Sequence, residues 1–420
     1  MEYKPNPLLY GANEDFYSTF KLVVTMRDLV DHSALSQAIE NAMRRYPYFC
    51  VTPVKTGEDI QLWVNEEPVP VFTDDRCVVL GTEESNGHLL AFGCDGHKIF
   101  IHASHYIADG MGISPLLMTV LYLYVSAVYG EQGLNCKRIH MPTHLVLPEE
   151  YTYPFPEKPV ALSETRLQGK EVTKVYGLNA QAFDDKGLYA YHLHIPQRAM
   201  MAIANPSDGS PVSFLSVMLY RAICSLDQKM EESVVAHVQH QYRSAINAPM
   251  NRHSLVSYIP VEFFSRMKDR RVELQNTIVR GQVIIGSETE ADLVSINRLL
   301  SVFPTDQCLD YTQKKRLMRQ YIENSIEGKT FGISYVGKMD WCGLDQYVVD
   351  LHAYIGEKNT PNMLLIEVMT VGTDFSLTFM QSGCGTRYVN AFMKQLQQFD
   401  IPVQLVGEER YTLCDTKLPE

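Results

Sequence analysis

The chain has 420 residues, 45% of them hydrophobic and 20% charged, a composition that excludes disordered and fibrous classes and leaves material for two or three domains. With 49 acidic against 37 basic residues the formal net charge is -12, so the molecular field repels polyanions and nucleic acid is not an expected partner. The nine cysteines are scattered without a C-x-x-C pair and read as reduced thiols of a cytoplasmic protein rather than a disulfide framework or zinc knuckle. The first ten residues hold no apolar run of signal-peptide length, so export is not expected.

Tyr17 to Thr25 alternates as a strand does, and Leu35, Ala38, Ile39, Ala42 and Met43 then fall on one face of a helix entered at Ser33 and ended before Pro47. Strand-like runs follow at 48–54, 60–64, 78–80, 89–93 and 98–103. Met111 to Gly130 carries no charge and is long enough to span a bilayer. It is diluted by Gly112, Ser114, Pro115 and Thr119, however, and its nearest flanking charges are the acidic Asp109 and Glu131. A buried helix is expected there and no membrane span.

Prolines crowd the stretch from His140 to Pro159, which breaks the regular pattern. Order resumes with a strand at 188–195, a helix at 212–226 and strands at 234–242 and 255–263. A helix opened by the capping-box pattern Ser287-x-x-Glu290 follows, then another near 312–322. Strands at 330–336, 348–355, 363–371 and 375–381 precede a last helix at 388–397. This is an α+β chain of two lobes, residues 1–160 and 188–420, joined by a connector over 161–187, with a site expected between the lobes.

The segment from Ile99 to Gly112, IFIHASHYIADGMG, concentrates the chemistry. His105 stands where an apolar strand gives way to a turn, Asp109 is placed to fold back on that turn, and Gly110 has the freedom to enter the long helix sharply. An imidazole so held suits general base work at neutral pH. His102, on the strand itself, reads as a packed histidine. A metal-dependent hydrolase built on His102, His105 and Asp109 is a minor alternative, since all three types ligate metals.

Strand, H-x-x-x-D-G and apolar helix together resemble the active-site motif of the superfamily of chloramphenicol acetyltransferase, peptide-synthetase condensation domains, BAHD acyltransferases and alcohol acetyltransferases. Leu29-Val30-Asp31 followed by Leu35, Ala38, Arg45 and Pro47, the segment QHQYRSAIN around Arg243, and FGISYVGK at Phe331 to Lys338 stand in the same order as in two-lobed members. The resemblance is strongest to free-standing alcohol acetyltransferases. Ser104 replaces the first of the two histidines usual in condensation domains, and Ser334 to Lys338 replaces the BAHD signature D-F-G-W-G.

The resemblance implies two chloramphenicol-acetyltransferase-like lobes forming a pseudo-dimer around an interface tunnel. His105 would be the base, and Asp109, with Gly110, the structural organiser of the turn, paired to Arg243 of the second lobe. No metal or bound cofactor is implied. The co-substrate would be acyl-CoA or a phosphopantetheine thioester on an acyl carrier protein, and the acceptor a small alcohol or amine. A non-catalytic or carrier-dependent condensation-like module is the alternative. Ser334 and Tyr335 are candidate donors to the tetrahedral oxyanion. Lys314, Lys315, Arg316 and Arg319 read as a solvated helix face that could otherwise hold a CoA phosphate. His192, His194, His237 and His240 read as packing or acceptor-channel residues.

Overall fold

The computed structural model describes residues 2–12, 18–130, 136–162, 174–178, 187–227, 230–304, 307–357 and 363–419. In chain order the strands are β1 (Glu2–Tyr3), β2 (Thr19–Met26), β3 (Val51–Thr56), β4 (Asp59–Val64), β5 (Val71–Phe72), β6 (Leu90–Asp95), β7 (Lys98–Ser104), β8 (Leu188–Pro196), β9 (Val234–Gln241), β10 (Val256–Phe263), β11 (Phe331–Tyr335), β12 (Val348–Tyr354), β13 (Leu364–Val371), β14 (Asp374–Ser382) and β15 (Gln404–Tyr411). The helices are α1 (His32–Met43), α2 (Gly110–Tyr129), α3 (Pro148–Tyr151), α4 (Gln197–Ala204), α5 (Pro211–Leu226), α6 (Val272–Gly286), α7 (Thr289–Leu300), α8 (Tyr311–Glu327) and α9 (Arg387–Gln397).

Two large sheets carry the molecule, beside a small third sheet of order β1-β4-β3. The first has the order β12-β2-β7-β6-β5 and the second β10-β9-β11-β13-β14-β8-β15. Period-two alternation decides which residues face inward. Leu22 and Val24 of β2 and Ile99 and Ile101 of β7 pack in one core with Leu35 and Ile39 of α1 and Leu117 and Leu121 of α2. On the second sheet Ile366 and Val368 of β13 pack in another core with Phe214 and Met218 of α5 and Phe392 of α9. Strand β12 lies late in the chain yet pairs antiparallel with β2 in the first sheet, so the second half of the chain contributes to the sheet that carries the H-x-x-x-D-G segment.

The opposite faces of the sheets meet through polar side chains of β12. Asp350 Oδ2 lies 2.5 Å from His194 Nε2 and 3.0 Å from His352 Nε2. His192 Nε2 lies 2.9 Å from Glu409 Oε1. His194 through Asp350, and His192 through its ring against His352 of β12 with centroids 3.9 Å apart, tie the two sheets together, while His237 stacks on Tyr258 and His240 pairs with Asp292.

Several sequence expectations shift in detail. Helix α1 is entered one turn-residue earlier, at His32, because the Asp31 carboxylate accepts the Ala34 N–H at 2.9 Å. Ser287 is not a helix start but the residue that closes α6, and α7 begins at Thr289. Residues 78–80 form no strand, only a bridge from Leu80 to Thr416. The scattered-thiol reading is corrected at one pair: Cys136 and Cys342, 206 residues apart, are joined as a disulfide with Cα atoms 5.7 Å apart. Nothing in local spacing marks such a pair, because the fold alone brings them together. Helix α2 is the one described helix long and apolar enough to cross a membrane, and 67% of its most apolar window is buried inside the protein. Much of the connector expected over 161–187 lies outside the described residues.

Candidate active site at the end of strand β7

The site begins where β7 stops. The His105 N–H donates to the Ser18 carbonyl at 2.7 Å, and its imidazole lies against the Phe20 ring with centroids 4.7 Å apart. Strand partners thus hold the backbone, and the residue as a whole is half-buried. Burial of its surroundings pushes the His105 pKa below the ordinary histidine value, outweighing an upward pull from Asp109. The imidazole is neutral at pH 7, the form a base requires.

Asp109 is occupied on every side. Its Oδ1 accepts the Gly112 N–H at 2.7 Å, capping α2, and its Oδ2 accepts the Leu255 N–H at 2.9 Å. Arg243 grips both oxygens at 2.8 Å each. That guanidinium also donates to the Asn251 and His253 carbonyls, at 3.0 and 2.8 Å. Both side chains are buried, 5% and 6% exposed. A bidentate charge pair of this kind fixes geometry strongly, and here it joins the first turn of α2 to the loop between β9 and β10.

The turn also depends on two glycines. A Cβ on Gly110 would lie 3.1 Å from Val336 Cγ1, whereas one on Gly112 would lie 2.2 Å from the Arg252 carbonyl oxygen. The sequence reading singled out Gly110 and missed Gly112, although a glycine in the first turn of an apolar helix is itself a hint of close backbone approach.

Two pockets touch this turn. One is lined by Gly110, Met111, Val336, Gly337, Met339 and Met369 among others. The other, a narrow pocket, is lined by Ile107, Tyr48, Glu150, Tyr151, Arg252 and His253 among others. The segment singled out by sequence therefore contributes to both.

Ser334 and Tyr335 part company, because neighbours on a strand face opposite ways. Tyr335 packs on the core of the second sheet, edge-on to Phe375. Ser334 stands in register with Glu367 of β13, on the face shared with Met369, which belongs to the core of the first sheet. Glu367 was not found by sequence reasoning. It is 6% exposed, and burial raises its carboxyl to about 7, opposed only by a hydrogen bond with Ser334.

The three residues of the metal-site alternative do not converge. His102 Nδ1 lies 3.1 Å from Cys414 Sγ, its pKa lowered to about 3 by burial, and Asp109 has its oxygens committed to Arg243, Gly112 and Leu255. On α8, Lys314 pairs with Asp59 and Arg319 with Glu323, so these cations of the basic face have protein partners.

No family model and no curated protein matches the chain by sequence. Solved structures do match. TRI101 of F. sporotrichioides, complexed with coenzyme A and T-2, aligns with a TM-score of 0.62 at 9% identity over 97% of this chain and 100% of that one. The condensation domain of the monacolin K polyketide synthase MokA aligns at 0.55 and 11% identity, over 95% and 97%. The chain has the condensation-domain fold. A mutant starter condensation domain of rhizomide synthetase RzmA, in complex with C8-CoA, shares this fold at 0.54 and 9% identity, over 95% of this chain and 89% of that one. The condensation fold is the two-lobed, chloramphenicol-acetyltransferase-like architecture that the H-x-x-x-D-G resemblance implied.

Proposed function

We propose that this protein is an acyltransferase that moves an acyl group from a thioester donor, acyl-CoA, to a hydroxyl or amine acceptor, with His105 as general base. The observation that carries the reading is a neutral, half-buried histidine at the end of a strand, on a turn fixed by the buried Asp109–Arg243 pair, whose neighbours Ile107 and Gly110 each line a pocket. A fixed turn matters because reacting groups must be held at near-attack distance. Coenzyme A in the TRI101 complex and C8-CoA in the RzmA complex support acyl-CoA as the co-substrate. An acyl carrier protein would offer the same thioester.

In this mechanism His105 takes the proton from the acceptor O–H or N–H as the heteroatom attacks the thioester carbonyl. The C=O electron pair moves onto oxygen, and Ser334 is the second-lobe hydroxyl we assign to that oxyanion. Collapse breaks the carbon–sulfur bond, and the leaving thiolate takes the proton back from the imidazolium. Asp109 and Gly110 shape the turn without touching substrate. Donor and acceptor enter a tunnel from opposite mouths, one beside Gly110 and one beside Ile107.

The test is His105→Ala, assayed by release of free CoA. A fall of about 10²- to 10⁴-fold is the worth of a positioned base. Near-wild-type turnover would end the assignment.

A further inference from the structure

Charge does not balance around the cavity beside Ile107. Arg45 and Glu150 satisfy one another there: Arg45 Nη2 donates to Oε1 at 2.6 Å and Nη1 to Oε2 at 3.0 Å. The Tyr48 hydroxyl donates to Oε2 at 2.7 Å and the Leu147 N–H to Oε1 at 3.2 Å. Glu150 therefore has little left to offer a second cation. Yet Arg252, 9% exposed, lines the same cavity. Among the described residues its guanidinium enters no ion pair, and its Nε is enclosed without a partner. Burial lowers the pKa values of His140 and His253, so neither histidine adds charge. The cluster holds two guanidiniums for one carboxylate.

A buried cation without a counter-ion is costly unless something supplies one. Arg252 cannot relieve that cost by shifting its main chain, because its N–H donates to the Glu150 carbonyl at 2.8 Å and its own carbonyl is packed against Gly112 of the α2 turn. The apolar walls are the aromatic Tyr3, Tyr48, Phe49 and Tyr151 with the aliphatic Leu62 and Ile107. Mostly apolar walls with a few convergent polar groups, here Arg252, His253 and the already paired Glu150, describe a ligand pocket, and a guanidinium selects planar or tetrahedral oxyanions over neutral groups.

We propose that this cavity is an oxyanion-binding subsite in which Arg252 pairs with a carboxylate or phosphate carried on an apolar substrate body. The inference rests on the acyl-transfer reading for its role: the anion would seat one substrate beside the turn that holds His105. Two sources share the chemistry, namely a carboxylate on the acceptor and a phosphate of the CoA donor.

Titration calorimetry and thermal shift on wild type, Arg252→Met and Arg252→Lys test it. The probes are 3-phenylpropionate, its neutral amide, CoA and 3′-dephospho-CoA. Wild type should bind an anionic probe at least about ten-fold more tightly than its neutral or less charged counterpart, a difference of about 1.4 kcal/mol. Arg252→Met should abolish that preference and Arg252→Lys should restore part of it. Loss confined to phenylpropionate assigns the subsite to the acceptor, and loss confined to CoA assigns it to the donor. The unliganded Arg252→Met protein should melt no lower than wild type, since an unpaired buried charge has been removed. Absence of any Arg252-dependent preference among these probes, or a lower melting temperature for Arg252→Met with anion binding unchanged, overturns the proposal. His105→Ala should leave this binding unaltered while ending turnover, so failure of the acyl-transfer reading is visible separately.

Discussion

Breaking the Asp109–Arg243 pair probes the architecture of the site most sharply. Arg243→Gln leaves the Asp109 carboxylate buried, with only the Gly112 and Leu255 N–H groups as donors. Stranding one member of a buried pair costs about 3–5 kcal/mol. Against a total stability of about 5–15 kcal/mol this is a large share, and a 4 kcal/mol loss lowers Tm by roughly 5 °C in a chain of 420 residues. Asp109→Asn keeps an oxygen to cap α2, so it loses the charge but not the cap, and should fall at the lower end of that range. The double variant Asp109→Asn/Arg243→Gln strands neither charge, so its loss should be smaller than the sum of the singles by about 1–3 kcal/mol. Urea unfolding followed by tryptophan fluorescence gives the stabilities, and CoA release gives the activities, which should fall together. Additive losses, or single losses below about 1 kcal/mol, would mean that the turn is held by something other than this pair.

Gly112→Ala should destabilise strongly, by more than about 2 kcal/mol, because its methyl carbon would lie 2.2 Å from the Arg252 carbonyl; chemical denaturation checks it, and a change within about 0.5 kcal/mol contradicts it. The His105 pKa is lowered by burial, so its neutral form persists below the ordinary range. The acidic limb of kcat/KM against pH should therefore fall below pH about 6.5, the usual histidine value, and an acidic limb above 7 contradicts this. Glu367 has its pKa raised from 4.5 to about 7, so folding favours its protonated form. Stability from this group is full below pH about 4.5 and is lost as pH rises through 7, a swing on the order of 3 kcal/mol. Glu367→Gln should flatten the stability profile over that window, and an unchanged profile would place the titration elsewhere.

What could be read from the sequence follows the strength of each local signal. Strands such as β13 and β14 and the amphipathic α9 announce themselves through apolar periodicity, and their observed bounds lie within a residue or two of expectation. Strand β15, QLVGEERY, was missed because it is the edge of its sheet and mostly solvent-facing, so it needs no apolar alternation. The crossing of β12 into the first sheet has no sequence signal, since strand partners are chosen in three dimensions. The H-x-x-x-D-G spacing located His105 and Asp109, and resemblance supplied Arg243. Arg252 and Glu367 stayed hidden for a physical reason: one stands out by the counter-ion it lacks and the other by its burial, and no run of neighbouring residues encodes either.

The central claim is acyl transfer through His105. Its most direct test is mass spectrometry of the products formed when the protein is offered mixed acyl-CoAs with a panel of alcohols and amines, run side by side with His105→Ala. Wild type should form an ester or amide product, accompanied by stoichiometric free CoA, that drops by at least about 10²-fold in the variant. Equal product from both proteins, or hydrolysed acyl-CoA with no acylated acceptor, would contradict it.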